Sequence, residues 1–255
     1  CAQGHYCPAG TVTPTDFKCP AGTLTDARNL VRSEDCSVCP ARKACAIGTG
    51  GVQKTPVDCA PGHFCPNGTQ YPTQHKCPPG RYSSRTNLAA ADECTACPPG
   101  HFCTGGQTQI SGACAAGHFC PVGTSAANQH ACPAGTYTGS TDLFSAVQCT
   151  DCLPGRFCTL AATAPAPCPA GRYSGVNNTE AAKPGAGVAA SCATCPAGSY
   201  CPAEATEPLP CGAGRHSGDG AGVCAQCGAG YYCSSPTTRT AQLASGGGTW
   251  DRNSD

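Results

Sequence analysis

The chain has 255 residues, among them 26 Cys, 33 Gly and 24 Pro, with only 12% charged and 6% aromatic side chains. Roughly one residue in ten is Cys, the level of a disulfide scaffold, and large apolar side chains are too scarce for a single core of this length. Lys plus Arg and Asp plus Glu balance at 15 each, so no charge excess recruits nucleic acid, an anionic membrane surface or an acidic substrate.

Taken in chain order, the cysteines repeat. Those at 1, 7, 19, 36, 39 and 45 are separated by 5, 11, 16, 2 and 5 residues. The sets 59, 65, 77, 94, 97, 103 and 114, 120, 132, 149, 152, 158 keep the same gaps. Two shorter sets, 168, 192, 195, 201 and 211, 224, 227, 233, keep the last four positions and lack the first two. The organisation expected is six-Cys modules at 1–58, 59–113 and 114–167, four-Cys modules at 168–210 and 211–233, and a Ser/Gly-rich tail or linker at 234–255.

Two boxes recur between the cysteines. The first surrounds the five-residue gap: CAQGHYC at 1, CAPGHFC at 59, CPPGHFC at 97, CAAGHFC at 114, CLPGRFC at 152, CPAGSYC at 195 and CGAGYYC at 227. The second opens the longer gap: CPAGTLT at 19, CPPGRYS at 77, CPAGTYT at 132, CPAGRYS at 168 and CGAGRHS at 211. Pro followed by Gly is a turn with a mechanism, since Pro presets φ near −65° and Gly accepts the positive φ that closes it. Within the sixteen-residue gaps Leu30, Leu88 and Leu143 recur six residues before the next Cys, where a helical turn is expected to pack the Leu on a disulfide. Ribbons of two to four residues are expected elsewhere, and the Gly-rich KPGAGVAAS and HSGDGAGV stretches are expected to lose the turn.

The alternation of CPAGTY with C-x2-C-P-x-G-x-Y/F-C, covering residues 1–233, resembles the ephrin-receptor-like cysteine-rich repeats. These are relatives in style of tumour-necrosis-factor-receptor and EGF-like modules, and occur in surface and flagellar-hair proteins of single-celled eukaryotes. The resemblance implies a disulfide-stapled extracellular array of small modules, mostly loops with short two-stranded β ribbons and occasional helical turns, extended as a rod. It does not imply an ephrin ligand.

The shorter modules suggest how the cysteines pair. Losing the Cys-x5-Cys pair leaves every other cysteine able to find a partner, so such pairs are most simply self-closed: Cys1–Cys7, Cys59–Cys65 and Cys114–Cys120. The same box closes as Cys39–Cys45, Cys97–Cys103, Cys152–Cys158, Cys195–Cys201 and Cys227–Cys233. What remains is Cys19–Cys36, Cys77–Cys94, Cys132–Cys149, Cys168–Cys192 and Cys211–Cys224. Six cysteines allow about 15 connectivities, and an interlaced pairing of the receptor kind stays open as the rival. Each self-closed bridge stabilises by roughly 2 to 3 kcal/mol on the chain-entropy model, on the scale of a small module's whole stability.

An even cysteine count at this density points to an oxidising compartment, secreted or cell-surface. No run of 18 apolar residues provides a membrane span, and no secretory signal opens the sequence. No Met occurs, so the sequence reads as a processed chain or an excerpt. Cys-x2-Cys pairs invite zinc, but the box that follows holds no fixed His: His5, His63, His101 and His118 give way to Arg156, Ser199 and Tyr231. No nucleophile, metal-protease or phosphate-loop motif appears, and Glu34–Asp35 and Asp92–Glu93 read as solvated surface, so neither catalytic residues, metal ligands nor a cofactor are expected.

Sugar attachment has positive signals. Asn67 in NGT and Asn177 in NNT are the two N-glycosylation sequons, and covalent glycans are expected there. TVTPT at 11–15, ATAPAP at 162–167 and SPTTRT at 235–240 are of the composition that accepts O-linked sugars, or are ordinary loops. The box CPARKAC at 39–45 replaces Gly by Arg42 and the aromatic by Ala44, through drift or as a basic contact surface. After Cys233 a GGG joint leads to Trp250, an anchor for another domain or a frayed end.

These features point to a non-catalytic extracellular structural glycoprotein that builds or decorates a filament, surface coat or flagellar hair. Its expected partners are copies of itself or other extracellular structural proteins, and glycans. The alternative is a stalk or ligand-binding ectodomain segment of a cell-surface receptor or adhesin.

Overall fold

The computed structural model describes residues 1–51, 54–175, 192–229, 231–235 and 238–241, the last ribbon beyond Cys233 in its backbone only. Among the described residues thirteen two-stranded sheets follow one another, with loops between them. His5–Tyr6 pairs with Phe17–Lys18, Thr23–Leu24 with Ser37–Val38, Lys43–Ala44 with Val57–Asp58 and His63–Phe64 with His75–Lys76, all antiparallel. Among the described residues the helical content is three short 3₁₀ turns, Ser33–Asp35, Ala91–Glu93 and Ala146–Gln148. Small disulfide-rich modules in tandem, with short ribbons and occasional helical turns, are therefore the fold.

The two boxes of the sequence turn out to be one motif. In every copy the first strand of a ribbon occupies the fifth and sixth places of the box, and up to Gln226 each second strand ends just before the Cys of the next box. The seventh place is a Cys in eight copies and Thr25, Ser83, Thr138, Ser174 or Ser217 in five, all five buried. The chain is thus built of thirteen ribbon units, each opening with a cysteine.

Thirteen disulfides join all 26 cysteines, with Cα–Cα distances of 5.8 to 6.2 Å. Where the seventh place is Cys, the bridge closes within the box, as in Cys59–Cys65 and Cys97–Cys103. Where it is Ser or Thr, the opening Cys reaches instead to the Cys three residues before the next box, as in Cys77–Cys94 and Cys168–Cys192. No bridge crosses another.

Contacts divide the chain into two compact units: Cys1–Ala115 with Phe119–Gln129 and Thr141–Phe144, and Ala116–His118 with His130–Ser140 and the described part of Ser145–Asp255. Within the first, successive ribbons are tied backbone to backbone. The N–H of Gly22 donates to the Cys45 carbonyl at 2.8 Å, Cys39 N–H returns to Gly22 O at 2.9 Å, and Cys45 N–H reaches Thr69 O at 3.0 Å. Gly68 N–H reaches back to the preceding ribbon, to Cys39 O at 2.9 Å. Within the second unit the same four bonds recur: Gly155 to Ser174, Cys168 to Gly155, Ser174 to Ala205 and Glu204 to Cys168, at 2.8 to 3.0 Å. These bonds satisfy backbone groups that two-residue strands leave unpaired.

At several fourth places glycine answers two demands, although Arg42 fills the place in one box. At Gly80 φ is +82°, a region costly for a side chain, and a Cβ there would lie 2.1 Å from the carbonyl oxygen of Gly123, two ribbons on. Gly22 repeats the situation, with Gly68 O at 2.5 Å. Backbone crossing this close is how short ribbons stack without a thick apolar core.

What core there is consists of sulfur. The buried apolar residues are almost all cysteines, joined by Leu88, Leu143, Phe157 and two alanines. Leu88, fully buried, packs with Cys77, Cys94 and Phe64. The sixth-place aromatic of one ribbon covers the bridge of the next: Phe157 on Cys168–Cys192 and Tyr173 on Cys195–Cys201. The leucines lie just ahead of the 3₁₀ turns rather than in them. The Leu30 and Leu88 carbonyls accept from Cys7 N and Cys65 N at 2.8 Å, which holds them extended and parallel to Tyr6 and Phe64. No 3₁₀ turn forms in 216–223, whereas the stretch 176–191 lies outside the described residues.

Candidate modification and contact sites

The sequon at Asn67 is built into a turn. Its Gly68–Thr69 is one of four Gly–Thr pairs that follow a box, with Gly10–Thr11, Gly48–Thr49 and Gly123–Thr124. In each, the Thr hydroxyl donates to the carbonyl three residues earlier, Pro8, Ala46, Pro66 or Pro121, at 2.5 to 2.7 Å. Thr69 is 1% exposed. Gly–Thr suits this turn, although Ala161–Ala162 and Glu204–Ala205 take the same places in other copies, with the positive φ at Ala161 and Glu204 and the same bond back to the preceding ribbon; within this turn Asn67 is particular to this copy. Asn67 is exposed, and its Oδ1 accepts from the Ala41 N–H at 2.7 Å. Asn177 lies outside the described residues, as does Trp250.

The other candidate sugar stretches differ among themselves. In TVTPT, Val12 is 89% exposed and Thr13 hydrogen-bonds the Asp16 carboxylate, whose pKa lies below the usual carboxylate range because of that bond. Ala166–Pro167, at the end of ATAPAP, is the second strand of a ribbon, pairing with Arg156–Phe157. SPTTRT at 235–240 spans a ribbon end, with 236 and 237 outside the described residues.

CPARKAC does not present a free basic face. Arg42 takes φ +76° where sister boxes have Gly, and its guanidinium grips both Glu93 carboxylate oxygens, at 2.7 and 3.1 Å, together with the Asn87 carbonyl at 2.7 Å. Lys43 pairs with Asp58 across its own ribbon. Glu93 is held below the usual range first by the Ala89 N–H and then by Arg42. Asp58 is lowered by hydrogen bonds from Lys43 and Asn87. Fork-to-carboxylate geometry of this kind fixes orientation as well as charge. The acidic turns also have partners: Asp35 Oδ2 accepts from Val31 and Arg32 N–H, and Glu93 from Ala89 N–H.

The box histidines are tied to the backbone. Nδ1 of His5, His63, His101 and His118 lies 2.9 to 3.2 Å from the carbonyl two residues earlier, the bond formed by the tautomer protonated at Nδ1. Where Arg takes the same place, it reaches a carbonyl too: Arg81 to Cys94 O at 2.6 Å and Arg172 to Cys192 O at 2.8 Å. Different side chains thus fill one backbone-bracing role. His216, Cys227 and Cys233 bring three potential ligand atoms within 4.8 Å of one another, but the two sulfurs are bonded to each other and offer no thiolate.

A further signal stands in the sequence: Ser or Thr at the seventh place marks the boxes whose staple moves outward to the longer loop. Among the described residues no helix is long and apolar enough to cross a membrane. No family model and no curated protein matches the chain.

Proposed function

We propose that this chain is a non-catalytic extracellular structural glycoprotein, of ephrin-receptor-like repeats, that builds or decorates a filament, surface coat or flagellar hair. The observation behind this reading is the backbone ladder: each ribbon is bonded to its neighbours through the same N–H and C=O groups, in both units, whatever side chains surround them. A scaffold of this kind specifies stacking rather than a pocket, and stacked repeats propagate stiffness along a chain. The density of disulfides supports an oxidising, extracellular setting. Charge balance allows copies to lie side by side without long-range repulsion. Copies of the same chain, other extracellular structural proteins and the attached glycans are the partners.

Electron microscopy of the native material tests the reading. Regular polymers are expected. Single particles at micromolar concentration sink the filament and leave a receptor or adhesin stalk.

A further inference from the structure

We propose that Asn67 receives its glycan before ribbons 39–58 and 59–76 fold, and that the folded, disulfide-bonded chain is closed to the transfer. The inference rests on the reading that Asn67 is a glycan acceptor. An N-glycosylating enzyme must engage the sequon's Thr hydroxyl and present the Asn amide to the donor. In the transfer, the amide Nδ2 attacks the anomeric carbon of a lipid-pyrophosphate-linked oligosaccharide. The new C–N bond forms as the C–O bond to phosphate breaks, the lipid pyrophosphate leaves, and the amide gives up one proton.

The three sequon residues are engaged with their own turn and with two other segments, the box 39–45 and Gly22. Thr69 is 1% exposed, its hydroxyl is committed to Pro66 O at 2.7 Å and its carbonyl accepts from Cys45 N–H at 3.0 Å. Gly68 has φ +80°, donates to Cys39 O at 2.9 Å, and its own carbonyl lies against Gly22. Asn67 Oδ1 holds the Ala41 N–H at 2.7 Å. Freeing the Thr side chain for an enzyme pocket therefore means undoing the ladder on both sides of the Cys39–Cys45 staple.

The finished product meets no such obstacle. Asn67 itself is exposed, and substitution at Nδ2 leaves Oδ1 to accept from Ala41. A glycan attached early is thus retained without loss of a bond, and its occupancy is decided by competition between the transferase and closure of the Cys39–Cys45 and Cys59–Cys65 loops.

The test incubates sugar-free full-length chain, oxidised or reduced, with a purified oligosaccharyltransferase and lipid-linked donor, with an Asn-Gly-Thr peptide turned over in the same tube. Occupancy at Asn67 is read by peptide mass spectrometry. Modification of the reduced chain at least tenfold above the oxidised chain is expected, and in cells the Cys59→Ser, Cys65→Ser double variant raises occupancy above the unaltered chain. Equal modification of oxidised and reduced chain overturns the ordering. Failure of the reduced chain at Asn67, with the peptide modified, overturns the reading of Asn67 as an acceptor.

Discussion

Ribbons 59–76 and 77–96 are consecutive, open with nearly the same turn, and are stapled differently. In the first, Cys59 closes on Cys65, six residues away; in the second, Cys77 closes on Cys94, seventeen away, and Ser83 stands where Cys65 would be. Yet Gly62 and Gly80 make the same donor bonds, to Ser83 O and Cys103 O, and the next cysteines return to their carbonyls at 2.8 to 2.9 Å. The ladder is indifferent to where the sulfur goes. What moves with the staple is the filling: the longer loop of 77–96 carries Leu88 and a 3₁₀ turn, and the shorter one of 59–76 carries the Gly68–Thr69 turn.

The comparison is most exposed at Leu88. Replacing it by Ala should cost about 3 kcal/mol, because a fully buried side chain against a disulfide leaves a cavity. Leu30, half-buried in the equivalent place, should lose about 1 kcal/mol. Denaturant unfolding of the two variants measures both, and equal losses would mean that the longer loop is not a core.

Removing the staples comes next. The Cys77→Ser, Cys94→Ser double variant should lose about 3 kcal/mol and the Cys59→Ser, Cys65→Ser pair about 2 kcal/mol, following loop length. Hydrogen-exchange mass spectrometry should show deprotection confined to the altered ribbon and its neighbours. Deprotection of the whole first compact unit would show that the ladder is not linear.

Gly80→Ala separates the two demands made on the fourth place. Left-handed backbone and collision with Gly123 O together should cost about 2 kcal/mol or more. Gly10→Ala, with φ +88° and no described atom within 4 Å, should cost about 1 kcal/mol. If the two variants unfold alike, the close crossing of backbones carries no energy.

Acid gives the smallest effect. Glu93 is depressed in the folded chain, so its contribution is present above the ordinary glutamate range and is lost as pH falls through the lower folded value. The thermal midpoint should therefore fall at acid pH, and Glu93→Gln should flatten that part of the profile. An unchanged profile in the variant would remove the Arg42–Glu93 tie from the account of 39–45.

Much of the fold was legible because its determinants are local. Pro and Gly at the second to fourth places write the turn, the spacing of cysteines writes the period, and the two combine into ribbons of two residues in tandem. A helical turn was legible too, from Ser or Thr followed by Ala, Leu and acidic residues ahead of Cys36, Cys94 and Cys149, although the Leu stands before the 3₁₀ turn and not in it. Less legible was Arg42, whose partners lie 45 and 51 residues away; taken alone, CPARKAC reads as drift or as a basic contact surface. Asp35 and Glu93 read as solvated, because a carboxylate that caps a turn and one that faces water look alike in a string of letters.

By itself, then, the sequence determined the class of the protein: stapled ribbons in tandem, for an oxidising compartment, since cysteine density and turn chemistry act over a few residues. Tertiary structure decided why Gly80 cannot carry a side chain, since the carbonyl that excludes a Cβ there belongs to a ribbon 43 residues further on, at Gly123. It decided likewise that Thr69 is a buried strut and Asn67 an exposed side chain, although the two stand two residues apart in one sequon. Burial is a property of what stacks against a turn, and stacking is set by contacts between ribbons that no single stretch of sequence contains.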